Sequence, residues 1–87
     1  MIIEHYRLGN PVPVYLRFRN QGRLAPDGLN YVASWVTHDL TRCYQVMECA
    51  DPTLLDIWTA GWSDLVEFEV IPIVTSAEAA TALADRL

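Results

Sequence analysis

The sequence predicts an α+β domain in which strands and helices follow one another as βαββαβ, with a further helix at the end. Three features carry that expectation. Extended, β-rich segments stand near the start, in the middle and near the end of the chain. Asn10-Pro11 and Asp51-Pro52 each join a capping residue to a proline, a helix-start signature. Leu54, Leu55, Trp58, Trp62 and Leu65 recur at spacings of three and four, which draws one apolar stripe along a helix.

The first strand runs from Met1 to Arg7, and Gly9-Asn10-Pro11 ends it. Asn10 then caps free amides and Pro11 takes the first helical position. Pro13 still falls in the first turn, where its missing N–H does little harm. Val14 and Phe18 are four apart and share a helical face. Gly22 is the expected stop, and Ala25-Pro26-Asp27-Gly28 is a turn cluster. The second strand is Leu29 to Thr37. His38-Asp39-Leu40-Thr41 turns the chain without the glycine of a strong hairpin signal, and Arg42 to Cys49 returns. The helix after Asp51-Pro52 carries the Leu/Trp stripe, with Gly61 weakening it locally. Val66 to Ile71 alternates apolar with acidic residues before Pro72 and forms the fourth strand. Thr75 and Glu78 have capping-box spacing, and Ala77, Ala80, Leu83, Ala84 and Leu87 form the stripe of a last helix.

Two right-handed βαβ crossovers interlock into one antiparallel sheet, in the order fourth, first, third, second strand. Both helices then cover one face: a ferredoxin-like plait, with residues 1–87 as a single domain.

The chain is 52% apolar and 20% charged, the balance of a globular domain, and no apolar run approaches the ~18 residues of a membrane span. Acidic residues number 11 against 6 basic ones, for a net charge of -5, so a nucleic-acid partner is not expected. Every basic residue is arginine, which excludes a lysine Schiff base. The first residues show no basic region followed by a long apolar segment, so the expected compartment is the cytoplasm. Cys43 and Cys49 are then free thiols: within one strand they stand roughly 20 Å apart.

The middle strands pose a physical question. Pairing His38 with Thr41 sets Val36 opposite Cys43, Ser34 opposite Gln45 and Val32 opposite Met47. The other face carries Tyr31, Ala33, Trp35, Tyr44 and Val46. Neither face is polar enough to be solvated, and a sheet apolar on both sides needs cover on both. Helices supply one cover; a second copy of the chain is the economical other, making a homodimer.

Tyr31-Val32-Ala33-Ser34-Trp35-Val36, Arg42-Cys43-Tyr44-Gln45-Val46-Met47-Glu48 and Trp62 to Val70 resemble a small bacterial family, domain of unknown function thirty-three-oh-three. The resemblance is closest from Tyr15 to Ala80. It departs at Asp39-Leu40, where Asp-Gly is expected, and in the first strand, where Glu4 and His5 are unusually polar. The family looks like a branch of the dimeric α/β-barrel group, in which two plaits pack sheet to sheet around small pockets. The resemblance implies the fold and the dimer, and no activity.

His5 and His38 are the only imidazoles and no ligand spacing surrounds them, so neither a metal nor a cofactor is expected. Ser34, Ser63 and Ser76 lack a nucleophile elbow, and the glycines stand alone rather than in a phosphate loop. Acid–base work is the best enzymatic option. If Phe68 points to the helices, Glu69 points to the dimer seam, where an apolar wall raises a carboxyl pKa. An ion pair across that seam is the structural alternative for Glu69. Ser34 and Gln45 are candidates to position a polar ligand, Met47 to line the apolar wall, and His5 to contact ligand or a carboxylate. Trp58 and Trp62 are expected in the core, Trp35 in core or interface, and Arg17, Arg19 and Arg23 on a solvated patch. The expectation is a homodimer that binds a small apolar molecule or acts structurally. The alternatives are a cofactor-independent oxygenase or isomerase on a small apolar or aromatic substrate, and a protein-interaction module.

Overall fold

Alternating burial shapes the first strand, β1 (Ile2–Tyr6): Ile2, Glu4 and Tyr6 are buried, Ile3 and His5 half-buried. The computed structural model describes residues 1–87. After β1, a single 3-10 turn (Arg7–Gly9) leads to α1 (Val12–Gln21). The Asn10 side chain accepts the Val12 N–H at 3.1 Å, as its capping position requires. Gly22, at φ 73°, stops α1 in a conformation that other residues adopt only with strain.

β2 (Asn30–Val36) and β3 (Arg42–Glu48) form the hairpin. Val36 faces Cys43 and Ser34 faces Gln45, as expected. Met47, however, pairs with Tyr31 and not with Val32. The register shifts between Tyr31 and Ala33, so Val32 is an extra residue in the strand and the alternation slips there. In the connecting turn Asp39 accepts from the Thr37 hydroxyl, the Thr41 hydroxyl and the Thr41 N–H, at 2.7, 2.7 and 3.1 Å. These bonds hold its carboxyl at about 2. Leu40, where a glycine was expected, has φ 63°.

α2 (Thr53–Ala60) begins beside Asp51, which accepts the Thr53 N–H at 3.0 Å. It is shorter than the stripe implied. Gly61 ends the helix, and Trp62 and Leu65 continue the spacing in successive turns rather than in helix. β4 (Val66–Val70), α3 (Ser76–Leu83), with the full Thr75/Glu78 capping box, and a 3-10 turn (Ala84–Arg86) complete the chain, so the last helix stops short of Ala84 and Leu87.

The sheet is antiparallel in the order β2-β3-β1-β4. Register builds two rows on its helix-facing side: Ser34–Gln45–Ile2–Val70 and Val36–Cys43–Glu4–Phe68. Ile2, Tyr6, Val14, Leu29, Cys43, Trp58, Trp62 and Val66 form the core. Both cysteines are free thiols, and no helix is long and apolar enough to cross a membrane.

The C-terminal end of the chain is less evenly packed. From Ile71 onward every residue except Ala79 is exposed, including the apolar stripe of α3. The radius of gyration is 14.9 Å, above the roughly 12 Å of a compact domain this long.

Candidate functional site

Trp58 and Trp62 lie one helical turn apart in spacing and both reach back under the loop after α1. Their indole N–H groups donate to one acceptor, the Arg23 carbonyl, at 3.0 and 2.9 Å. This fixes the backbone at Arg23 and turns its side chain inward. The guanidinium then donates to Gln45 Oε1 at 2.8 Å. Its Cζ sits 3.8 Å from the Tyr31 ring centroid and 5.2 Å from that of Phe18. A cation between two ring faces is held by their quadrupoles. Arg23 is thus no part of a solvated patch. Arg17 leaves that patch as well, in a forked pair with Asp64 at 2.8 and 2.6 Å.

Between this layer and the sheet lies a pocket of about 120 Å³. Val14, Tyr15, Phe18, Trp58 and Trp62 wall it on the helical side. Glu4, Tyr6, Ser34, Val36, Cys43 and Gln45 face it from the sheet, and Arg23 closes the rim. An apolar cavity of roughly 150 Å³ accommodates benzene, so this space suits one small ring.

Two polar side chains on the sheet floor are nearly removed from water: Glu4 is 8% exposed and Gln45 2%. Glu4 belongs to none of the ion pairs. Burial pushes its carboxyl above the ordinary carboxylate value; the Cys43 S–H and the charge of Arg23 oppose that shift without cancelling it. Burial, joined by the Glu4 charge, likewise pushes the Cys43 thiol up to about 12. Tyr6 is raised by the same burial and by its neighbour Cys43. The Gln45 amide donates to the Met47 thioether at 3.0 Å, a weak acceptor.

The sequence candidates divide between the two faces of the sheet. Ser34, Gln45 and Met47 point to the helices; Ser34 and Gln45 line the pocket, and Met47 touches it only through Gln45. Phe68 also points to the helices, its ring 5.7 Å from that of Trp58. Glu69 therefore lies on the open face, where its carboxylate meets His5 Nε2 at 3.6 Å. Their side chains are 58% and 38% exposed. Glu69 and His5 consequently share no site with Ser34 and Gln45, because adjacent residues of a strand point to opposite faces. Alongside them, the open face shows Trp35 at 60% exposure, with Ala33, Tyr44 and Val46 half-buried.

Sequence reasoning passed over Glu4 and Arg23. Glu4 had a signal: an acidic residue between Ile2 and Tyr6, at the same strand parity as both. Arg23 had none, since its inward turn depends on two indoles far along the chain.

Fold and pocket together define an α+β plait with a small, mostly apolar pocket between its layers. The chain belongs to the family described as Domain of unknown function (DUF3303), which matches residues 1–87. Comparison with curated proteins and with solved structures returned no match.

Proposed function

We propose that this protein is a small-molecule-binding homodimer. Each chain takes one small, largely apolar ligand between its helices and its sheet, and a second copy covers the open sheet face. The observation that carries the binding role is the pocket itself: aromatic walls above two polar side chains, Glu4 and Gln45, that are almost wholly buried yet face open space. Ligand sites commonly combine apolar walls with a few convergent polar groups. The uncovered apolar row around Trp35 supports the second copy.

A cofactor-independent acid–base enzyme is the alternative, favoured by one observation. A carboxyl with a raised pKa stands inside the pocket, and it belongs to Glu4. On this proposal Glu69 and His5 sit at the seam between copies, where their contact serves assembly.

Toluene is a suitable probe of the pocket. At about 100 times its Kd a ligand that binds only the folded state adds roughly 2.7 kcal/mol of stability. The expected result is a rise in Tm with a change in tryptophan emission from Trp58 and Trp62. Unchanged Tm and emission with toluene, and with other small single-ring compounds, would refute the binding role.

A further inference from the structure

The polar floor of the pocket is more selective than its walls. We infer that the pocket takes a neutral, single-ring aromatic alcohol, whose hydroxyl donates to the Glu4 carboxyl and accepts from the Gln45 amide. This rests on the small-molecule role proposed above and narrows it to a chemical class.

Size sets the first limit. The space of about 120 Å³ is close to the roughly 150 Å³ that holds benzene and well below the roughly 300 Å³ at which drug-sized sites begin. The rings of Tyr6, Phe18, Trp58 and Trp62 around it favour a flat apolar body.

Charge sets the second. Two formal charges line the pocket, Glu4 and Arg23, of opposite sign. An anionic ligand would lie against a buried carboxyl, and a cationic one against a guanidinium. A neutral ligand meets neither penalty.

Hydrogen bonding sets the third. A carboxyl has four lone-pair sites, and the donor set against that of Glu4 across the ladder is the Cys43 thiol, a weak one. The Gln45 amide spends a donor on a thioether. Glu4 pairs in register with Cys43, so Gln45 is its diagonal neighbour on the same face. No buried side-chain oxygen or nitrogen is left without a partner; the carboxyl and the amide instead keep spare capacity, one to accept and one to donate, side by side. A hydroxyl group offers both functions on a single atom.

The test compares phenol with toluene, its near-isostere, and with benzoate and benzylammonium, by NMR-detected binding to the full chain at pH 7. Phenol is expected to bind about tenfold more tightly than toluene, the equivalent of roughly 1.4 kcal/mol, and the two ions no better than toluene. Glu4→Leu is expected to abolish the preference for phenol and leave toluene binding in place. In the unsubstituted protein, phenol and not toluene is expected to shift the Glu4 carboxyl carbon resonance, which decides the matter even if Glu4→Leu fails to fold. Equal binding of phenol and toluene overturns the alcohol and leaves the pocket standing. Tightest binding by either ion overturns the neutral ligand. Failure of all four to bind overturns the pocket together with its ligand class.

Discussion

Trp62 donates its indole N–H to the carbonyl oxygen of Arg23, 39 residues earlier, at 2.9 Å. Trp58 shares the same acceptor. One side chain from α2 and one from the turn after it thereby hold the loop after α1 against the sheet, and the rim of the pocket with it. Trp62→Ala should lose about 3–5 kcal/mol, the usual cost of emptying a buried aromatic site. Trp62→Phe retains most of the packing, and the Arg23 carbonyl still has Trp58, so its cost should be smaller. Urea denaturation measures both; an alanine variant within about 0.5 kcal/mol of the parent would mean that Trp62 is not core.

Glu4 links the pocket to pH. Its folded pKa is raised above the unfolded value of 4.5. The native state therefore binds more protons in that window, and stability falls as pH rises from about 4.5 to the raised folded value, then levels off. Glu4→Gln should remove this decline. The difference in unfolding free energy between parent and variant, followed from pH 4 to 8 by roughly half-unit steps, is expected to move in the variant's favour with rising pH. A pH-independent difference would contradict the burial of a titrating carboxyl.

Asp39 works in the opposite sense. Three hydrogen bonds hold its folded pKa at about 2 against an ordinary 3.8. Its contribution is present above that ordinary value and is lost as acid is added through the folded one. Asp39→Asn should therefore be less stable than the parent at pH 6, with the gap closing toward pH 2.

Leu40 occupies the turn position where Asp39 invites a glycine. At φ 63° a residue with a Cβ is strained by roughly 1–2 kcal/mol, while glycine gives back part of that through its looser unfolded chain. Leu40 is exposed and lends no core contact. Leu40→Gly should raise stability by about 0.5–1 kcal/mol, read as a higher urea midpoint at unchanged slope. A lowered midpoint would show that the leucine makes contacts in the assembled protein.

The second copy is tested at Trp35. Sedimentation should find a dimer at micromolar concentration, since extensive apolar interfaces bury about 2,000 Å² or more. Trp35 is 60% exposed in the single chain, so Trp35→Asp should dissociate the dimer while the monomer keeps its fold. A parent protein that sediments as a monomer excludes the sheet-to-sheet dimer.

Much of the architecture was legible locally. Asn10, Asp51 and the Thr75/Glu78 pair place helix starts because a cap satisfies amides only a few residues away. The hairpin register followed from the turn as far as Ala33. It failed beyond, because the extra residue at Val32 has no signature in composition. The end of α2 was overrun for a related reason: Trp62 keeps helical spacing after the helix has stopped, as turns of similar pitch carry the chain onward.

The sequence by itself determined parity. It placed Ser34 with Gln45 on one side of the sheet and set Phe68 against Glu69, because side chains alternate along any strand. The tertiary structure alone decided which parity the helices cover. They take Phe68 and with it Glu4, Ser34 and Gln45, while Glu69 and His5 are left on the open face. That choice rests on long-range packing: the Trp58 ring meets Phe68, and the Trp58 and Trp62 indoles share the carbonyl of Arg23. None of these partners is a neighbour in the chain, so no local pattern records the pocket they enclose.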